Sequence, residues 1–300
     1  MHTNMIDIDG VELWTEEFGD VTHPPILLVM GSMTQGVLWP DEFVGRLVAA
    51  GRRVIRYDHR DTGKSATFDF AKQPYTWHDI RDDVLRVMDA YGLDSAHLVC
   101  HSAGGLLGQF IAADHPERVR TLTVIGSSPL GGREGEVIMR ALTGQPQPEG
   151  SLPPPRPEFV AHFQKAIAAP PPADRREQVE RMIEEARVLH GIGLPFDEDA
   201  ERRLQERVLE RARDLSSLVN HRLAHAACPD FEPADDVLGR ITAPTLVIEG
   251  THEPAKPGHS AIIAERIPGA ELLMIEGMGH LLPPQRYEQL ATAIVRHTTR

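Results

Sequence analysis

The stretch Leu98-Val99-Cys100-His101-Ser102-Ala103-Gly104-Gly105 constrains the fold more than any other part of the chain. An apolar run breaks at a serine flanked by small residues and then turns helical. Where a nucleophile stands on so tight a strand-to-helix turn, the residues two before and two after it must be small for strand and helix to pass closely. Cys100 and Gly104 hold those places. The usual pattern is G-x-S-x-G, and a thiol side chain, although small, is less permissive than glycine at unusual backbone angles. A plain Ser/Gly turn after a buried strand would read the same way, so partners for Ser102 must be found elsewhere before the turn becomes a mechanism.

The flanking sequence supplies the sheet. Met5 to Trp14 alternates apolar and polar residues on both sides of Asp9-Gly10, a dipeptide that accepts the positive φ of a two-residue turn, and predicts an antiparallel hairpin at a sheet edge. Pro25 to Met30 is continuously apolar and ends at Gly31, as expected of a strand covered on both faces. Strands are expected at 53–57, 96–100, 121–125, 245–248 and 271–275. Helices are expected from Asp41 as cap, from Thr76 as cap, and over 103–115, 261–267 and 287–297. Alternating strands and helices imply a doubly wound, mostly parallel α/β sheet. The texture changes over residues 132–236, where prolines punctuate charged helical stretches with apolar stripes at Val179, Met182, Ile183, Ala186 and Leu189, and at Leu204, Val208 and Leu215. This segment is expected to be a helical cap inserted into a core formed by 1–131 and 237–300.

A serine hydroxyl is a weak nucleophile near neutral pH. It needs an imidazole to take its proton and a carboxylate to hold that imidazole in the right tautomer, in the chain order Ser, acid, His. His280 follows the last strand in Gly277-Met278-Gly279-His280, and Glu253 follows the strand ending at Ile248. Both fall in loops beyond the C-terminal ends of parallel strands, where open α/β sheets place their sites. Glu249 and acidic residues of the inserted segment compete with Glu253 for the acid. The oxyanion formed on attack needs two N–H donors. The backbone N–H of Ala103 and that of Ser32, in the loop after the third strand, are the candidates. Met33 and Trp39 are candidate substrate-lining residues.

Other signals carry less. Asp58 to Ser65 ends in Gly-Lys-Ser, but Asp58 stands where a phosphate-binding loop needs its first glycine, and a carboxylate there would repel phosphate. His221 and His225 have the spacing of two zinc ligands on a helix, without the following glutamate or a third ligand. Neither a metal nor another cofactor is expected. A net charge of −13 argues against a nucleic-acid surface or an anionic membrane as partner. No apolar run approaches the ~20 residues of a membrane span, and the first residues lack the pattern of a secretory leader. With only Cys100 and Cys228, no disulfide framework is available, and a cytoplasmic location follows as the expectation.

With elbow, acid and histidine in order, the chain resembles the α/β-hydrolase superfamily over its length outside the inserted segment. More closely it resembles the aclacinomycin methylesterase group, through Val11-Glu12-Leu13-Trp14, Leu27 to Gly31, Trp39 to Phe43, Val54 to Gly63, Pro244 to Ile248 and Gly277 to His280. It departs from that group at Cys100 and Ser32, where glycine is usual, and at Glu253, where aspartate is usual. The resemblance implies hydrolysis of a small-molecule ester, the methyl ester of an anthracycline-like aromatic polyketide being the specific expectation. Other serine-hydrolase chemistry on a lactone, amide or C–C bond, and ligand binding without catalysis, are the alternatives.

Overall fold

The structure, a computed structural model, describes residues 2–228 and 236–299. Eight strands form one sheet: β1 (His2–Ile8), β2 (Val11–Phe18), β3 (Pro25–Val29), β4 (Arg53–Tyr57), β5 (Ala96–His101), β6 (Val119–Ile125), β7 (Thr245–Gly250) and β8 (Glu271–Ile275). Their order is β1-β2-β4-β3-β5-β6-β7-β8. β1 and β2 form the antiparallel hairpin at the edge, with Asp9 at φ 53° and Gly10 at φ 85° making the turn. β2 runs antiparallel to β4, and every later pair is parallel.

Successive residues of the buried strands feed opposite faces, as the period of two requires. Leu27, Val29, Leu98 and Cys100 pack with α2 (Trp77–Ala90), α3 (Ala103–Asp114) and α9 (His259–Arg266). Ile26, Leu28, Val99 and Ile248 pack on the other face with α1 (Asp41–Ala49) and α10 (Tyr287–His297). Thr76 caps α2 with Asp79 completing the reciprocal capping box. One local expectation is corrected: Asp41 does not cap α1. Pro40 holds the cap position, and the Asp41 carboxylate instead accepts from Arg56 at 2.6 Å and Arg207 at 3.0 Å.

Between β6 and β7, the described residues form α4 (Glu134–Leu142), α5 (Pro157–Ala168), α6 (Arg175–His190), α7 (Glu198–Arg211) and α8 (Asn220–Ala226). Residues 229–235, the last part of the stretch expected to form the cap, lie outside the described residues. Val179 and Ile183 of α6 meet Leu209 of α7 in a small cluster of their own. No described helix is long and apolar enough to cross a membrane.

Candidate active site

β5 ends at the centre of the sheet, and the turn that follows carries Ser102 at φ 54°, ψ −126°, a region that L residues rarely occupy. The strain is held by packing on both sides. The Ser102 N–H donates to the Ile125 carbonyl at 2.9 Å. On the helix side, a Cβ at Gly104 would stand 2.5 Å from the carbonyl oxygens of Val29 and Met30, so only glycine lets α3 come this close. Cys100 fits because its thiol points at Gly108 of α3, where a side chain would come within 2.6 Å of the sulfur. Burial pushes that thiol's pKa up, which keeps it protonated.

The two loops at the carboxyl ends of β7 and β8 bring their residues to Ser102. Ser102 Oγ lies 3.1 Å from His280 Nε2, and His280 Nδ1 lies 2.9 Å from Glu253 Oε2. A carboxylate only accepts, so Nδ1–H donates to Glu253 and leaves the Nε2 lone pair for the Ser102 proton. Glu253, not Glu249, meets the imidazole. The Glu249 carboxylate is taken by the N–H groups of Gly258 and Ser260, at 2.6 and 2.9 Å, and anchors the start of α9. Burial raises the Glu253 pKa, but His280, the hydrogen bond to it and the Ala255 N–H outweigh burial, leaving the carboxyl below its ordinary value. Gly126 makes room for this pair, since a Cβ there would come within 3.2 Å of Glu253 Oε2 and 3.3 Å of His280 Nδ1.

His101 supports the histidine from behind. Its Nε2–H donates to the His280 carbonyl at 2.8 Å, and burial lowers its pKa to about 3, so it is a neutral donor.

The candidate oxyanion donors lie on either side of Ser102. Ala103 opens α3 directly after it. Gly31 touches Ser102, at 3.0 Å from a Cβ built on the glycine to the serine Cβ, and Ser32 is the next residue along the chain. Met33 follows with a φ of 62°, and its N–H donates to His221 Nδ1 at 3.0 Å. His221 Nε2–H in turn donates to the Arg60 carbonyl at 2.8 Å. The sequence offered His221 as an improbable zinc ligand; its place is as a brace between α8 and this turn. No group of described residues is arranged to hold a metal ion. In the Asp58 to Ser65 loop, Asp58 accepts from Lys64 of the loop itself and from Gly36 and Arg211 outside it.

Trp39 is a correction. Its side chain is completely buried, with its ring against Phe43 and His101, so it belongs to the packed core and lines no accessible pocket. Met33 is half-buried. Two surface clefts of about 320 and 370 Å³ lie away from Ser102, one at the amino ends of the strands around Pro25, Arg53 and Ser95, the other between α5 and α6.

The helices between β6 and β7 hold the loops. Arg156, just before α5, donates to the Glu253 and Thr251 carbonyls at 2.9 and 3.2 Å, and its N–H reaches the Pro254 carbonyl. The Leu189 carbonyl at the end of α6 accepts from the His280 N–H at 2.6 Å, and that of His190 accepts from Gly279 at 2.9 Å. The sequence reading also missed Lys256. Its Nζ lies 3.2 Å from Ser102 Oγ and 3.1 Å from Glu134 Oε1, and the side chain is 4% exposed. A signal was present: the chain has 31 Lys and Arg residues, yet lysine stands only at 64, 72, 165 and 256, so one in the loop of Glu253 is unusual.

A family model described as alpha/beta hydrolase fold matches residues 24–286. The chain is 41% identical to rhodomycin D methylesterase DauP of Streptomyces sp. (strain C5), over 99% of this chain and 98% of that protein. The same figures hold for rhodomycin D methylesterase DnrP of Streptomyces peucetius. Among solved structures, the esterase EaEST from Exiguobacterium antarcticum superposes with a TM-score of 0.74 over the whole of both chains, at 18% identity.

Proposed function

Since the chain belongs to the alpha/beta hydrolase fold family, we propose that it is a serine carboxylic-ester hydrolase that removes the methyl group from the ester of an anthracycline-like aromatic polyketide. The observation that carries the chemistry is the hydrogen-bonded series from Ser102 Oγ to His280 and from His280 to Glu253. The methylesterase relatives, similar over their full length, support the substrate class.

In this reading Ser102 Oγ attacks the ester carbonyl carbon while its proton passes to His280 Nε2, and the carbonyl π electrons move onto oxygen. The N–H groups of Ala103 and Ser32 receive that oxyanion. Collapse expels methoxide, which takes the proton from His280 and leaves as methanol. Water, deprotonated by His280, then attacks the acyl-enzyme; collapse breaks the Oγ–C bond, returns the proton to Ser102 and releases the free acid. Glu253 stays ionised and stabilises the imidazolium of each step. Helices α4 to α8 act as a cap that shapes the acyl pocket, with Met33 at its floor. The two cysteines, both buried, suit a reducing cytoplasm.

The test is incubation of the purified chain with rhodomycin D and with simple aryl esters, read by mass spectrometry. Free acid and methanol from rhodomycin D are expected. Turnover of short aryl esters with no acid formed from any anthracycline methyl ester would refute the substrate class. Failure to react with a fluorophosphonate probe would refute the serine mechanism.

A further inference from the structure

Among the described residues, Ser102 Oγ has two polar side-chain neighbours, and their chemistry differs. His280 Nε2, at 3.1 Å, accepts; Lys256 Nζ, at 3.2 Å, is an ammonium and can only donate. The one hydroxyl proton must therefore point at His280, while a lone pair faces Lys256. We propose that Lys256 is a catalytic residue: its buried ammonium orients the Ser102 hydroxyl and stabilises the negative charge that develops at the acyl carbon's oxygens. This rests on the ester-hydrolase reading above.

The placement is built by two other parts of the fold. Glu253 Oε1 accepts from the N–H groups of Ala255 and Lys256, at 2.8 and 3.2 Å. One carboxylate thus holds His280 with one oxygen and, with the other, fixes the turn that delivers Lys256. From the opposite side Glu134, in the first turn of α4, pairs with Nζ. Burial raises the Glu134 pKa, but the Lys256 charge together with hydrogen bonds from Ser128 and Lys256 outweighs it and keeps the carboxyl below its ordinary value, so the pair is ionic. The second oxygen, Oε2, is buried without a hydrogen-bond partner among the described residues. A solvated surface lysine would contribute little through space, whereas one at 4% exposure acts through a medium of low dielectric constant.

The charge is used at two points. During attack, Oγ loses its proton to His280 as the Oγ–C bond forms, and the carbonyl oxygen takes the electron pair within reach of the ammonium's field. After deacylation, the product carboxylate has its carbon where Oγ was bonded, so its anionic oxygens lie beside Nζ. Lys256 therefore also holds the acid product, and product inhibition reports on it.

The experiment compares wild type, Lys256→Met and the double variant Lys256→Met with Glu134→Gln, which removes both charges and leaves no unpaired buried carboxylate. The rate of fluorophosphonate labelling of Ser102 is measured first, because it needs no knowledge of the natural ester. Both variants are expected to label about 10²-fold more slowly. On p-nitrophenyl butyrate, kcat is expected to fall by a similar factor with KM changed less than about threefold, and butyrate to inhibit about tenfold more weakly. Wild-type labelling by the double variant, with its circular dichroism spectrum unchanged, would overturn the proposal even if Lys256→Met alone were slow. Unaltered butyrate inhibition would overturn the product-holding part. If wild type labels but hydrolyses no ester, the ester-hydrolase reading fails while the labelling comparison still decides the role of Lys256.

Discussion

The sheet and the helices inserted between β6 and β7 contribute to the site in different currencies. The sheet places Ser102 by packing: a strained turn held between β6 and α3, with glycine at the contact. The inserted helices hold it with polar contacts at four places, from Arg156 to the Glu253 loop, Leu189 to His280, His221 to the Met33 turn and Glu134 to Lys256. Packing is distributed over many atoms and tolerates the loss of one, whereas a lone buried hydrogen bond leaves its partner unsatisfied when removed. Ser102 is thus fixed by the part of the fold that is hardest to change, and the groups around it by the part that is easiest.

The largest effect expected of this arrangement is at the serine. Ser102→Ala should lower kcat on an aryl ester by about 10⁶ if nucleophile, base and acid act as a unit. The turn is set by the backbone and the flanking glycine, so the fold should persist, and unchanged far-ultraviolet circular dichroism with activity near wild type would remove Ser102 from the mechanism. Glu253→Gln comes next, at about 10⁴ in kcat, because an amide oxygen can still accept from Nδ1 but cannot stabilise an imidazolium. If Glu253→Gln lost less than tenfold, another carboxylate would have to be the acid.

The same division explains what could be read without coordinates. Strands buried on both faces leave unbroken apolar runs such as Ile26 to Met30 and Leu98 to Cys100, and Asp9-Gly10 marks its own turn, so sheet and elbow were legible. Glu253 and His280 were legible too, because chain order and the ends of parallel strands restrict where partners can stand. The braces were not. Arg156, Leu189 and Glu134 act across 97, 91 and 122 residues of chain on Glu253, His280 and Lys256, and Leu189 acts through its backbone, which leaves no mark on residue identity. His221 had the spacing of a zinc ligand without the rest of a ligand set, which fitted packing between helices, and nothing in its sequence neighbourhood marked it as a brace for the Met33 turn. Trp39 carried two readings, because a large aromatic fits a pocket wall and a core equally until its burial is known.

His221 tests the brace directly. His221→Phe keeps the ring volume and removes the acceptor for the Met33 N–H, and kcat should fall by about 10², the cost of a displacement near 1 Å in a positioned group. His221 also reports on stability. Burial lowers its pKa to about 3, against 6.5 for an ordinary histidine, so below pH 6.5 the unfolded chain takes up a proton that the folded one refuses. Its contribution to stability is therefore full above pH 6.5 and declines as pH falls toward 3. Thermal melts across that range should show a shallower decline in His221→Phe than in wild type. Equal slopes would mean that His221 is exposed to protonation in the folded state.

The smallest effect should come from the most conspicuous charges. Arg202 of α7 makes a two-pronged pair with Glu180 of α6, at 2.7 and 3.0 Å, and α6 ends at the carbonyls that hold His280. If surface pairs fixed α6, removing this one would reach the imidazole. But both side chains are partly open to solvent, at 30% and 44%, where Coulomb attraction is screened and holding two long side chains costs entropy. Val179, Ile183 and Leu209, nearly closed to water between the same helices, carry the contact instead. Arg202→Ala should therefore leave kcat, KM and the melting temperature at their wild-type values, while Ile183→Ala should cost about 2–5 kcal/mol of stability. A loss of activity in Arg202→Ala at unchanged stability would show that the inserted helices transmit position through charge at their surface as well as through the four buried contacts at the site.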